Sequence, residues 1–174
     1  MDLSNYKWTC KCCGQEKTGL PPALAFGVPD HWLQLEKAVR EASKIDDDLC
    51  LIDKTDGTQN HYIRCVLELP LILPDASSGE FQFGVWMSVS ERSWNIYLDG
   101  YDSGDYAEEG CFGYLSNLIT AYPDSFNLPA DVYFRSDSLR PLVVLHEGSN
   151  PFISDQRNGM NVEVLESLLA KSKH

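Results

Sequence analysis

A chain of 174 residues with a formal charge of −12, 43% apolar and 11% aromatic, is long and apolar enough to bury a core of its own. Its charge excludes nucleic acid and anionic membrane as natural partners and suits a basic protein surface instead. Residues 1–9 (MDLSNYKWT) have neither the basic start nor the apolar stretch of an export signal, and no apolar run nears a membrane span, so a cytoplasmic chain with reduced cysteines is expected.

The first chemistry in chain order is Trp8-Thr9-Cys10-Lys11-Cys12-Cys13-Gly14. Cys10 and Cys13 form a C-x-x-C pair closed by glycine, a spacing that lets two thiolates grip one face of a tetrahedral zinc ion. A closed site needs four ligands, and no second C-x-x-C exists. Cys50, beside the polar run Asp46-Asp47-Asp48, is the first choice to complete it, and His31 is the second. Cys12 is read as too constrained to share an ion with both neighbours. The expected ligands of a structural zinc are therefore Cys10, Cys13 and Cys50. Two other readings compete, cysteines that bind nothing and a redox dithiol. A thioredoxin-like dithiol sits between strand and helix, which the stiff Gly19-Leu20-Pro21-Pro22 connector does not provide. A disulfide scaffold is disfavoured, because Cys50, Cys65 and Cys111 lie scattered in apolar segments of a chain too long to need stapling.

Beyond the connector, Trp32, Leu35, Val39 and Ala42 recur at helical spacing and predict a helix over 31–43. Asp30 stands at its start as a cap, and Glu36 and Arg40 are spaced to pair. A short apolar stretch follows at Leu49–Ile52, and His61 to Leu69 alternates as a strand, limited by Pro70 and Pro74. Phe81 to Ser90 gives the clearest period of two, with Phe81, Phe83, Val85, Met87 and Val89 on one face. Residues 91–98 suggest a short helix carrying Trp94 and Leu98. Phe112 to Ala121 shows helical spacing at Leu115, Leu118 and Ile119, stopped by Tyr122-Pro123. Asp131–Arg135 and Arg140–His146 read as a strand pair around a Ser136-Asp137-Ser138 turn. A last helix follows Asn161, striped by Val164, Leu165, Leu168 and Leu169, with Lys171 and Lys173 suited to its dipole. The order of elements predicts an α+β fold with a largely antiparallel central sheet, flanking helices and an N-terminal cysteine knuckle. The whole, 1–174, reads as one domain in which an arm, 1–22, packs on the body, 23–174.

Between the helices lies an acidic, tyrosine-bearing stretch: Asp99, Tyr101, Asp102, Asp105, Tyr106, Glu108 and Glu109. No base in it compensates the acids, and their spacing is not that of a calcium-binding EF-hand loop. It reads either as a solvated loop or as a surface where acids steer and tyrosines anchor a basic partner. Hydrolase and phosphate-loop motifs are absent: His146-Glu147 lacks the second histidine of a zincin, and no G-x-S-x-G occurs. A nucleophilic Cys111 with His61 or His146 has no local support. Arg64 and Glu68 share a strand face and are read as an ion pair.

Many residues in order resemble one bacterial family. Trp8, Cys10, Cys13, Gly14 and Gly19-Leu20-Pro21 begin the match, with Pro29, Trp32, Asp48 and Cys50. Arg64, Leu67-Glu68, Pro70, Gly84-Val85-Trp86, Ser88 and Ser90 continue it. Gly113-Tyr114-Leu115, Tyr122-Pro123, Arg140-Pro141, Asn150-Pro151, Gln156 and Gly159 complete it, so the likeness runs from about 8 to 166. The family is domain of unknown function 2199, whose name implies kinship without an activity. One departure is that similar chains often carry a histidine soon after the Cys-Gly, where this one has Gln15-Glu16-Lys17. The reading that results is a non-enzymatic, acidic protein-binding domain with a structural zinc knuckle, of the antitoxin or immunity-inhibitor kind. Its rival is an enzyme that uses the aromatic face around Trp86 as a pocket floor, or an open zinc on Cys10, Cys13 and Cys50 with water as the fourth ligand.

Overall fold

The strand predicted at 61–69 is the spine of the molecule and is longer than expected. In the computed structural model, which describes residues 3–171, it runs as β6 (Gln59–Ile72) straight through Pro70. Preceding it are β1 (Lys7–Thr9), β2 (Glu16–Thr18), β3 (Ala23–Ala25), α1 (Asp30–Leu33), α2 (Lys37–Ala42), β4 (Lys44–Ile45) and β5 (Leu49–Asp53). Following it are β7 (Ser78–Val89), α3 (Glu91–Gly100), β8 (Gly110–Leu115), β9 (Pro129–Tyr133), β10 (Leu142–Leu145), α4 (Pro151–Asn158), β11 (Met160–Asn161) and α5 (Val162–Lys171). Lys173, assigned above to the end of the last helix, lies outside the described residues.

The fold is mixed α and β with a sheet core, as expected, but the sheet is not open. Strands β6 to β10 follow one another as an antiparallel meander and close into a five-stranded barrel. An odd number of alternating strands leaves the last running parallel to the first. Closure therefore uses a parallel pairing, Leu142 opposite Val66, with the Val66 amide donating to the Pro141 carbonyl at 2.8 Å. Alternation along each strand reports which face is buried but not whether two edges meet, so the barrel was invisible in the pattern. Outside it, β5 and β4 extend the sheet beside β6, while the parallel strands β3 and β11 cover parts of β7 and β6.

The interior holds Ile63, Cys65, Leu67, Leu69 and Leu71 of β6 against Phe81, Phe83, Val85 and Met87 of β7, with Phe152 of α4 and Leu165 of α5 packed on them. Trp8, Cys10 and Leu20 of the N-terminal arm belong to the same core. A second, smaller cluster of Cys50, Ile52, Tyr62 and Trp86 lies under α1 and α2 and is flanked by Trp32, Leu35 and Val39. Trp86 is fully buried, with its indole N–H donated to the Phe26 carbonyl at 3.0 Å.

Three local expectations are corrected. The helix predicted over 31–43 is two short ones, because Gln34–Glu36 break it and Arg40 donates to the carbonyls of Trp32, Leu33 and Leu35 instead of pairing with Glu36. Asp30 does not cap its own helix. Its carboxylate accepts from the Leu118 amide at 2.8 Å and the Asn117 amide group at 3.1 Å. The helix predicted over 112–121 is instead β8 followed by a looped segment. There the Ile119 amide donates to the Ser125 hydroxyl in place of a helical carbonyl, and Asn117 turns its side chain to accept from the Trp86 amide of β7. The helix α4 was not anticipated, although Asn150 caps it by accepting from the Phe152 amide and Pro151 opens it.

Candidate functional site

The knuckle is the turn of the β1–β2 hairpin, whose strands pair Thr9 with Glu16. The Cys10 amide donates to the Gln15 carbonyl at 2.9 Å and the Gly14 amide to the Cys10 carbonyl at 2.8 Å. Gly14 takes φ +68°, a left-handed conformation that lets the turn close. This folds Cys10, Cys12 and Cys13 back so that all three sulphurs lie within 4.8 Å of one another. Cys10 is buried at the root of the turn, and Cys12 and Cys13 are exposed at its tip. On a tetrahedral zinc with Zn–S bonds of about 2.3 Å, thiolate sulphurs stand about 3.8 Å apart. The three thiols are thus gathered on the scale of one ion, and an all-sulphur donor set suits a soft or borderline metal. Hydrogen bonds from the Cys12 side chain and backbone lower the Cys10 thiol to about 7, while the same contact raises Cys12 to about 11.

The expected ligand set changes accordingly. Cys12, read as too constrained, stands 3.0 Å sulphur to sulphur from Cys10 and belongs to the cluster. Cys50 is not among the gathered thiols. It sits opposite Tyr62 in the second core cluster, where burial pushes its thiol up to about 12. His31 also stays away, held between the rings of Tyr62 and Phe126 at 5.8 and 5.2 Å. The physical reason is topological: β5 carries Cys50 onto the outer face of β6, whereas the hairpin root packs with the barrel interior.

A second candidate is a cleft of about 490 Å³ where α3 and the acidic stretch meet the barrel wall, lined by Asp48, Glu68 and Gln82, by Tyr97, Tyr101 and Tyr106, and by Arg135 and Arg140. Tyr97 and Tyr101, one helical turn apart, meet edge to face at 5.6 Å, and Tyr106 stacks parallel on Tyr97 at 5.7 Å. This return of the chain requires Gly100, where a Cβ would stand 2.3 Å from the Tyr106 ring. The Tyr101 hydroxyl donates to Asp48 at 2.8 Å and the Arg140 Nε at 2.7 Å. Burial opposes the charge on Asp48, but these two bonds outweigh it and hold the carboxyl below its usual value. The bond to Asp48, aided by burial, raises Tyr101 to about 12, and burial raises Tyr97 and Tyr106.

Of the seven residues proposed from the sequence to meet a partner, Tyr101, Asp102 and Tyr106 line this cleft. Asp99, Asp105 and Glu109 are exposed but are not among the residues lining it, and Glu108 is turned to an ion pair with Arg92. The stretch is therefore not without a base, since Arg92 lies one element upstream. Asp48, Glu68, Gln82, Tyr97, Arg135 and Arg140 were missed. The pairing of Arg64 with Glu68 is also corrected: four residues along a strand span about 13 Å, too far for an ion pair. Glu68 instead accepts from Gln82 at 3.2 Å and lies 3.8 Å from Arg135, while Arg64 donates to the Asp47 carbonyl.

A family model described as "Uncharacterized protein conserved in bacteria (DUF2199)" matches residues 9–160. The chain belongs to this family. The DUF2199 match begins inside β1 and ends in β11, so it takes in the three-cysteine turn, the whole barrel and every residue lining the cleft. No curated protein and no solved structure matches the chain. No helix among the described residues is long and apolar enough to cross a membrane.

Proposed function

We propose that this DUF2199 protein is a non-enzymatic binding domain that receives a basic segment of a partner protein in its tyrosine-lined cleft, with zinc on the knuckle in a structural role. The observation that carries the reading is the state of the groups lining the cleft. Asp48 is held ionised by Arg140 and Tyr101, and Tyr97 and Tyr101 are held protonated. Of the lining groups, Tyr101 and Asp102 are exposed and positioned for contact. The exposed acids Asp99, Asp102, Asp105 and Glu109, on a chain of charge −12, supply a field that draws a basic surface in. An inhibitor of the antitoxin or immunity kind, masking a basic active site, would need such a surface.

Calorimetric titration with lysine-rich and glutamate-rich peptides at low and moderate salt tests the reading. The lysine-rich peptides are expected to bind, more weakly as salt rises, with affinity lost in Tyr101→Ala and Asp102→Asn. Equal binding of both peptide classes, or unchanged affinity in both variants, refutes it.

The knuckle favours one further reading. Because only three thiols gather among the described residues, a zinc ion there would keep a position for water, the arrangement of catalytic rather than closed structural sites. X-ray absorption on zinc-loaded protein separates the two. Three sulphurs and one oxygen support the catalytic alternative, and four sulphurs recruited from within one chain or from a second copy support the structural role.

A further inference from the structure

Two guanidinium groups line the cleft, each anchored at its inner nitrogen and loosely held at its outer edge. Arg135 donates through Nε to the Arg140 carbonyl at 2.6 Å, and Arg140 donates through Nε to Asp48 at 2.7 Å. Each side chain is thereby oriented at its inner nitrogen. The nearest carboxylate to the Arg135 terminal nitrogens is Glu68 at 3.8 Å, an ion-pair distance beyond hydrogen-bond reach. Among the described residues, the terminal nitrogens of neither arginine make a hydrogen bond. A guanidinium carries five N–H donors, and its outer edge matches a carboxylate in a two-point contact. The cleft acids do not make that two-point contact, because Asp48 meets Arg140 through Nε alone and Glu68 stays 3.8 Å from Arg135.

We infer that Arg135 and Arg140 form a carboxylate subsite that captures the free C-terminus of the partner segment. This rests on the reading of the cleft as the partner site and specifies which part of the partner enters it. A free small anion is disfavoured by the exposed Asp102 in the lining and by the chain's charge of −12. The same negative charge attracts a carboxylate that arrives on a basic chain, so the two arginines within an acidic protein fit a lysine- or arginine-rich tail ending in its own carboxylate. A volume of about 490 Å³ has room for the last few residues of such a tail, with Val66, Leu139 and the tyrosine rings as walls.

The experiment compares two pools of lysine-rich peptides of mixed C-terminal residue, one with free carboxylates and one amidated, titrated into the full-length protein. The free acids are expected to bind about tenfold more tightly, the scale of one charge-assisted hydrogen bond. Arg135→Gln should bring the acids to the affinity of the amides and leave the amides unchanged. Arg140→Lys, which keeps a charge beside Asp48 but removes the fork, should narrow the same gap in protein that is still folded at the titration temperature. Equal affinity for acids and amides in the parent overturns the subsite while the partner site stands. Failure of both pools to bind overturns the partner site itself.

Discussion

Asp48 and Arg140 stand 92 positions apart in the chain and meet at 2.7 Å, Nε to carboxylate oxygen. The bond ties the loop before β5 to the loop before β10, next to the parallel pairing that closes the barrel. It also takes in Tyr101, so one carboxylate joins three separate segments. Asp48→Asn is expected to lower stability by about 1 kcal/mol at neutral pH, a modest figure because the pair is partly exposed. The folded carboxyl is held below its usual 3.8, so its contribution is complete above that value and is lost as pH falls through the folded pKa. Melting curves of parent and variant should differ at pH 7 and converge in acid, once the pH has fallen through the lowered folded pKa. A gap that persists in acid would show that the charge of Asp48 is not what matters.

The three-cysteine turn makes a sharper prediction about metal. Purified protein should carry close to one equivalent of zinc, and Cys10→Ser, Cys12→Ser and Cys13→Ser should each weaken binding by about tenfold or more. Cys50→Ala should retain the full equivalent, since its thiol lies in the other core cluster. Elemental analysis of the four variants decides this. Zinc lost with Cys50 but kept with Cys12 would restore the ligand set expected from the sequence.

Gly100 is required by a close approach. A Cβ there would meet the Tyr106 ring at 2.3 Å and the Asp105 carbonyl at 2.9 Å. Gly100→Ala gains up to about 1 kcal/mol of helix propensity, and the clash outweighs it. A net loss of about 1–3 kcal/mol in urea denaturation is expected, with weakened binding in the cleft because Tyr106 is displaced from Tyr97. A stabilised variant with unchanged binding would show that the stretch after α3 adapts freely.

Asn117 replaces a missing helix. Fully buried, it accepts from the Trp86 amide at 2.8 Å and donates to the Val28 carbonyl at 2.9 Å. Asn117→Ala leaves both backbone groups unpaired and should cost about 2–3 kcal/mol. Thermal or urea unfolding measures it, and a loss below about 0.5 kcal/mol would mean that water enters and takes over both bonds.

The sequence disclosed what repeats locally. The strand 81–90, the final helix and the turn at Cys10–Gly14 each announce themselves within a few residues, because alternation, helical spacing and a glycine-closed turn are properties of neighbours. The helix expected over 112–121 failed for the same reason. Its apolar spacing was real, but Gly110 and Gly113 let the chain lie against Val132 and Ser88 as a strand, and Asn117, Ser125 and Asp30 supplied side-chain bonds that no local pattern contains.

The candidate sites divide along that line. Cys10 and Cys13 were legible from spacing, and the acids and tyrosines of 99–109 from composition. Cys12's membership, the removal of Cys50 and the assembly of Asp48, Tyr97, Arg135 and Arg140 depended on which strand edges met. By itself the sequence determined charge, kinship, strand faces and the existence of a thiol turn. Only the tertiary structure decided that five strands close into a barrel, because closure is a pairing between segments more than seventy residues apart at Val66 and Leu142, and hydrogen bonds over that separation leave no periodic trace in either segment.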